Sequence, residues 1–232
     1  PVRVDVQAGT HGSAIWIGNG IVDRLASLLD EHGVGARRFV VSSPVIWRFH
    51  GERIQRALGA IEPILLPDGE RHKNLQVASR AYEALIRGGA DRGSAIVEVG
   101  GGVIGDSAGF IAATYLRGIT LVQVPTTLLA QVDSSIGGKV GVNHALGKNL
   151  IGAFHQPAVV AIDPLLLGTL PRREFRSGLY EVVKYGMIAS RGLFDRIAAN
   201  PKAIFARDPA VLTPAIVESC RIKADEIGRA HV

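Results

Sequence analysis

The chain has 232 residues, of which 47% are hydrophobic and 20% are charged, and its formal net charge is +5. A length above the usual about 100–200 residues of a domain predicts a globular protein with one domain plus part of another. The basic residues are dispersed, which favours a solvated surface over nucleic-acid binding. Cys220 is the only cysteine, so a disulfide framework and a cysteine-based zinc site are excluded.

The ends of the sequence carry their own signals. The N-terminal residues PVRVDVQAG show no signal-peptide pattern, and no apolar run reaches the about 18 residues that span a bilayer. A single cysteine also fits a reducing compartment, so we expect a cytoplasmic protein. Near the other end, the helical pattern Val211–Ala224 stops without a natural domain end. We therefore expect residues 227–232 to be a non-native tail and the natural protein to continue.

Short runs rich in Val and Ile alternate with amphipathic segments over the first 170 residues. The runs predict strands at Arg38–Ser42, Ile61–Leu66, Ala95–Val99, Ile119–Val124 and Ala158–Ile162. The segments between them predict helices at Ile21–Glu31, Gly51–Leu58, Leu75–Gly88 and Asp106–Tyr115. This alternation is typical of a Rossmann-like α/β fold, in which helices cover both faces of a mostly parallel sheet.

After Pro171 the sequence changes to helical periodicity, with no convincing strand between Arg173 and Cys220. The pairs Asn200-Pro201 and Asp208-Pro209 divide this region, because proline does not continue a helix interior. We therefore expect two domains. Residues 1–170 form the α/β domain, and residues 171–226 form the first part of an all-α domain.

The stretch Val99–Phe110, VGGGVIGDSAGF, follows a predicted strand and opens a predicted helix. Its glycines Gly100, Gly102 and Gly105 satisfy the G-x-G-x-x-G pattern, in which glycine lets a pyrophosphate approach a helix N-terminus. In a standard Rossmann site, an acidic residue at the end of the next strand holds a ribose. Here the next strand ends VPTT, without an acidic residue. From these residues alone, a nucleotide site and a structural glycine turn are about equally supported.

Two further stretches place polar side chains near turns. In LPDGERHKNL, Glu70 and Lys73 share one side of a helix start, where a surface ion pair is favoured over a ribose contact. The stretch Val124–Asn149 is too long for a slack loop in a compact domain. It contains Thr126, Thr127, Asp133, Lys139, Asn143, His144, Lys148 and Asn149. Two lysines beside a glycine turn suit an anion such as phosphate, so a functional site is favoured here.

The stretch GLYEVVKYGMI places Glu181 and Lys184 on one face of a helix whose neighbouring residues are apolar. A carboxylate on a buried helix is costly unless it is paired or binds a metal. Two interpretations stay open: a Glu–Lys pair at the domain junction, or one ligand of a metal whose other ligands lie elsewhere. The sequence contains no His-x-x-x-His pairing that would complete such a site.

Six segments in this order and spacing resemble the 3-dehydroquinate synthases of the sugar-phosphate cyclase family: PDGERHK, GGGVIGD, ATYLRG, VPTTLLAQVDSSIGGKVGVNH, GKNLIGAFHQP and GLYEVVKYG. The resemblance covers residues 1–225. It implies a lyase of the shikimate pathway that binds NAD and a divalent metal, zinc or cobalt. Such an enzyme converts 3-deoxy-D-arabino-heptulosonate 7-phosphate into 3-dehydroquinate and phosphate by transient oxidation, phosphate elimination, reduction and an intramolecular aldol.

The resemblance also implies roles for individual positions. NAD contacts are implied for Asp68, Gly69, Glu70, Arg71, His72, Lys73, Gly102, Val103, Ile104, Gly105, Asp106, Thr126, Thr127, Lys139, Lys148, Leu166, Leu167, Gly168 and Thr169. Substrate-site roles are implied for Asp133, Lys139, Asn149 and Lys184, and Glu181 resembles one metal ligand. Arg117 is expected to reach the phosphate site of a neighbouring subunit in a homodimer.

The resemblance implies that the two other metal ligands are histidines, from a GHxxxHA-type segment and from a position further downstream, and IKADE normally leads into that segment. We therefore expect this 232-residue chain to bind metal poorly and to be inactive, and its full-length parent to be active. The alternatives are a related sugar-phosphate cyclase, a metal-dependent polyol dehydrogenase and a non-enzymatic nucleotide-binding remnant. Lys139, Lys148 and Arg117 favour a phosphorylated substrate over a simple alcohol.

Overall fold

A seven-stranded sheet forms the centre of the computed structural model, which describes residues 1–8 and 11–230. The strand order is β1-β2-β9-β6-β5-β3-β4. These strands are β1 Val2–Ala8, β2 His11–Ile17, β3 Arg38–Ser42, β4 Ile64–Leu65, β5 Ala95–Gly100, β6 Thr120–Pro125 and β9 Val159–Ile162. A separate antiparallel hairpin consists of β7 Lys139–His144 and β8 Gly147–Phe154.

Within the large sheet, β1 and β2 pair antiparallel and the other strand pairs are parallel. The helices are α1 Leu25–Glu31, α2 Pro44–Leu58, α3 Leu75–Arg87, α4 Gly102–Thr114, α5 Arg172–Ile188, α6 Arg191–Ala199, α7 Pro201–Ala206 and α8 Pro209–Ala230. The predicted α/β class is therefore confirmed. Pro201 and Pro209 begin α7 and α8, as the two proline pairs predict.

Two helices begin earlier than the sequence predicts. Helix α2 begins at Pro44 instead of Gly51, because the Ser43 side chain accepts a hydrogen bond from the Ile46 amide and Pro44 occupies the first turn. Helix α4 begins at Gly102, inside the glycine turn itself. The glycines therefore form part of the first helical turn rather than a loop before it.

Strands β1 and β2 and the β7–β8 hairpin are not among the predicted strands. Among the side chains of β1 that the structure describes, the buried Val4 and Val6 alternate with the exposed Arg3 and Asp5, so β1 contains no continuous apolar run. In the hairpin, Gly141 and Gly152 face each other, and a side chain at Gly152 would lie 2.3 Å from the Val140 carbonyl oxygen. The backbones of the two strands therefore approach closely at these glycines, and Val140 and Val142 of β7 are buried on either side of Gly141.

Helices from the C-terminal region pack directly on the sheet. One core cluster joins residues of β1, β2 and β9 to residues of α5, α6 and α8, and its members include Val4, Ile15, Ile162, Tyr185 and Ile216. A second cluster lies under α1 and α2, and a third under α3 and α4. In the described ranges, no helix is both long and apolar enough to cross a membrane.

Candidate active site

The candidate site lies where the parallel strands β5 and β6 end. Gly100 and Pro125 are register partners at these ends, and the Thr126 amide donates to the Gly100 carbonyl over 2.8 Å. The glycine turn and the Thr126–Thr127 pair therefore lie side by side. Ligands of open parallel sheets bind at this carboxyl edge, which makes it the first place to look for chemistry.

Packing constrains the glycine turn on its inner side. A side chain at Gly100 would lie 2.7 Å from Cβ of Ile104, and one at Gly105 would lie 3.2 Å from Nε2 of Gln123. Glycine is thus needed here with or without a ligand, so the pattern alone does not separate the two interpretations. The first turn of α4 contains no acidic residue and has no side-chain cap, which suits an anion at its amides.

Lys73 is the buried cation of the site, with only 3% of its surface exposed. Its Nζ forms an ion pair with Asp106 and donates to Oδ1 of Asn149 over 2.5 Å. Burial raises the pKa of Asp106, although the neighbouring Lys73 opposes this rise. This differs from the surface ion pair between Glu70 and Lys73 that the sequence favours, because Lys73 turns inward to α4.

Glu70 instead contacts the hairpin. Its Oε1 accepts from Nδ2 of Asn143 over 2.7 Å, and Oδ1 of Asn143 accepts from the Asn149 amide over 2.8 Å. Asn149 has a positive φ of 56°. These bonds place Asp106, Lys139 and Asn149 around one cavity of about 370 Å³. Segments that lie far apart in sequence thus meet between α4 and the hairpin.

Asp133 is the centre of a second polar cluster. It lies in a π-helix, Ala130–Ser134, a geometry often found at functional sites. Its Oδ1 accepts from the Tyr185 hydroxyl over 3.1 Å and pairs with Nζ of Lys223 over 2.8 Å. Lys223 was missed by the sequence analysis, since a lone lysine on the amphipathic α8 carries no motif.

Glu181 and Lys184 form an ion pair on α5, which is one of the two interpretations that the sequence leaves open. The hydrogen bond to Glu181 raises the pKa of Lys184. The described residues contain no group of three or more His, Cys, Asp or Glu side chains placed to hold a metal. The part of the chain that the structure describes therefore does not form a metal site by itself, and Glu181 is a single candidate ligand.

The predicted contacts at the turn Pro164–Thr169 divide into two kinds. Leu166 and Leu167 are buried in the core, so their side chains anchor the turn. Gly168 and Thr169 are exposed, and a side chain at Gly168 would meet nothing within 4 Å. Of the four predicted contacts in this turn, Gly168 and Thr169 are therefore open to a ligand.

Three predicted site residues lie outside these clusters. Asp68 and Lys148 are exposed, in the segment before Glu70 and in the hairpin. Arg117 follows the far end of α4, whose 13 residues span about 20 Å. Leu116 and Arg117 both have positive φ, 50° and 69°, which is uncommon for residues with side chains. The structure therefore does not bring Arg117 to the site of its own chain.

Comparison with known proteins agrees on one family. A family profile described as 3-dehydroquinate synthase N-terminal matches residues 63–177. The chain is 49% identical over 222 residues to a 3-dehydroquinate synthase of Halorhodospira halophila, covering 96% of this chain and 62% of that protein. It is 48% identical over 232 residues to that of Gloeobacter violaceus, covering 98% and 64%. The chain thus spans about three fifths of the length of these curated relatives.

Solved structures of related cyclases superpose on the chain. A 2-deoxy-scyllo-inosose synthase with carbaglucose-6-phosphate, NAD+ and Co2+ gives a TM-score of 0.83 at 26% identity, covering 97% of this chain and 62% of that one. A 2-epi-5-epi-valiolone synthase of Streptomyces hygroscopicus with NAD+ and Zn2+ gives 0.85 at 26%, covering 98% and 64%. A sulfoacetaldehyde reductase of Bifidobacterium kashiwanohense shares the fold alone. Its TM-score is 0.71 at 15% identity, and the match covers 90% of this chain and 64% of that one. The chain therefore belongs to the 3-dehydroquinate synthase family.

Proposed function

We propose that the protein containing this chain is a 3-dehydroquinate synthase, a carbon–oxygen lyase that releases phosphate from 3-deoxy-D-arabino-heptulosonate 7-phosphate. The observation that carries the proposal is a pair of polar clusters on either side of the first turn of α4, where a side chain at Gly102 would lie 3.1 Å from Oγ of Ser134, the neighbour of Asp133. Lys73, Asp106 and Asn149 form one cluster, and Asp133 and Lys223 form the core of the other. The high identity to relatives of that name supports the same assignment.

NAD would be held along the first cluster. Its pyrophosphate would meet the uncapped first turn of α4, and the exposed half of the Pro164–Thr169 turn would contact another part of the cofactor. Lys73 would supply buried positive charge. The Glu70 carboxylate would accept a hydrogen bond from a ribose hydroxyl, the role that an acidic residue after the next strand has in a standard Rossmann site. When bound, NAD would remove a hydride from the substrate and return it within one turnover.

The substrate would lie along the second cluster. Lys223 and the Tyr185 hydroxyl hold Asp133 so that its carboxylate can accept a hydrogen bond from a sugar hydroxyl. Lys139 and Lys184 supply charge for the phosphate and carboxylate groups of a sugar-acid phosphate. Glu181 would serve as one metal ligand, and the described residues hold no group of three or more His, Cys, Asp or Glu side chains that would complete the site.

The same proposal covers the domains, the oligomeric state and the location of the protein. Residues 1–170 would be the NAD-binding domain, residues 171–226 the first part of the metal and substrate domain, and residues 227–232 a non-native tail. Arg117, exposed on a backbone with positive φ, would serve the neighbouring subunit of a homodimer. The biosynthetic role would place the protein in the cytoplasm.

A phosphate-release assay on the complete protein that contains this chain tests the proposal. We expect one phosphate per 3-dehydroquinate formed, with NAD and a divalent metal present and no net change in NADH absorbance. Steady NADH production from an alcohol, without phosphate release, would instead identify a polyol dehydrogenase. The 232-residue chain assayed alone should show no turnover, because its described residues offer one candidate metal ligand.

A further inference from the structure

The turn Pro164–Thr169 is held at its start by Asp163, which is fully buried. Oδ1 of Asp163 accepts from the Leu165 amide over 3.0 Å and from the Gly20 amide over 3.1 Å. Its Oδ2 pairs with Arg53 over 2.8 Å. The entrance to the turn is thus fixed by the α/β part of the chain.

The exit of the turn is held from the helical part. Arg207, between α7 and α8, donates from Nη1 to the Gly168 carbonyl over 2.7 Å and from Nη2 to the Leu170 carbonyl. Its guanidinium carbon lies 5.3 Å from the centre of the Phe175 ring on α5. A planar guanidinium can bond two carbonyls at once, which an ammonium group cannot do with the same geometry.

The backbone of Arg207 is also fixed. It closes α7 in the left-handed conformation, with φ of 60°, and its amide donates to the carbonyls of Ala203 and Ile204. The guanidinium therefore projects from a determined point rather than from a flexible link. Arg207 connects α5, the α7–α8 link and the turn.

The bonds of Arg207 fall on the exposed part of the turn. Because a peptide unit is planar, holding the Gly168 carbonyl also fixes the orientation of the peptide that joins Gly168 to Thr169. Thr169 is held from the other side, since its Oγ1 shares a hydrogen bond of 2.9 Å with Nε2 of the buried His50. Without Arg207, Thr169 would keep the two hydrogen bonds of its Oγ1, to His50 and to the Leu166 carbonyl over 3.3 Å, whereas the Gly168 and Leu170 carbonyls would lose their guanidinium donors.

We propose that Arg207 is a positioning residue for the nucleotide, which fixes Gly168 and Thr169 in the orientation that NAD meets. The proposal rests on the proposed NAD function and deepens it. It makes nucleotide affinity depend on a side chain of the helical region, although that side chain bonds to the turn rather than to the cofactor.

Calorimetric titration of the complete protein that contains this chain with NAD+ tests the proposal. Loss of two carbonyl hydrogen bonds should weaken binding about tenfold in Arg207→Met, and Arg207→Lys, which retains one donor group, should be affected less. The matched control is Arg196→Met, on the exposed face of α6, which should leave the dissociation constant unchanged.

Arg207→Gly separates positioning from folding, because glycine adopts the left-handed conformation of this link without strain. Millimolar guanidinium chloride should restore part of its NAD affinity, and sodium chloride at equal concentration should not. Equal affinity in the wild type and both Arg207→Met and Arg207→Gly would overturn the proposal. A complete wild-type protein that binds no NAD+ would instead overturn the proposed function, and this inference with it.

Discussion

The buried residue Glu98 makes the stability of the protein depend on pH. It lies on β5 with 1% of its surface exposed, opposite Gln123 on β6 and under the first turn of α4. Among the described residues, its Oε1 has no hydrogen-bond partner. Burial, and secondarily the charge of Asp106, raises the pKa of Glu98 well above its ordinary value of 4.5. The carboxyl is therefore protonated in the folded protein at pH values where the unfolded chain has lost the proton.

A carboxyl with a raised pKa in the folded state makes the free energy of unfolding fall as pH rises above about 4.5, by up to about 1.4 kcal/mol per pH unit. Glu98→Gln removes this dependence while keeping the shape of the side chain. The variant should gain stability relative to wild type as pH increases from acid to alkaline, measured by urea unfolding across that range. Glu83→Gln on the exposed face of α3 is the control. A stability difference that does not vary with pH would contradict this account of Glu98.

At the scale of elements, the position of α5 depends on one close contact. A side chain at Gly178 would lie 2.5 Å from the Leu129 amide nitrogen and 2.7 Å from Cβ of Leu128. Only glycine lets α5 approach the segment that leads into the π-helix. One turn further along, the same helix carries Glu181 and Lys184, so this contact sets their distance from Asp133.

Gly178→Ala should force α5 away from the π-helix, because the nearest atoms belong to backbone that cannot give way. We expect a loss of stability of about 2 kcal/mol or more, comparable to overpacking of a core. Gly192→Ala, in the first turn of α6 with no atom closer than 4.0 Å, should be neutral or stabilising by about 0.5–1 kcal/mol. Urea unfolding of both variants measures the difference, and equal stability would show that α5 does not need the close approach.

At the scale of the whole molecule, the sequence predicts the α/β class because buried parallel strands appear as continuous apolar runs. It also predicts the glycine turn, because the glycines directly follow one of these runs. The partners of Lys73 and Asp133 did not follow. Lys73 meets Asp106 and Asn149, and Asp133 meets Lys223, across loops and helices whose packing no local pattern encodes. The β7–β8 hairpin was missed for a related reason, since its glycines carry no side chain that could show alternation.

The same long-range contacts join the two parts of the chain. Helix α8 packs on β1 through one shared core cluster, and it carries Lys223 to Asp133. Arg207 bonds across the same boundary to the turn that follows β9. The candidate site is thus built by the sheet and the helical region together, and neither part holds all of its polar groups.

The most direct test is NAD+ binding by the complete protein that contains this chain and by its Lys73→Met variant, measured by calorimetry. Lys73 is the buried cation that links α4 to the hairpin, so its loss should weaken binding at least about tenfold. Lys202→Met, on the exposed face of α7, should bind as the wild type does. Saturable binding of one NAD+ per chain that depends on Lys73 is the predicted result. No saturable binding, or equal affinity in Lys73→Met, would contradict the account.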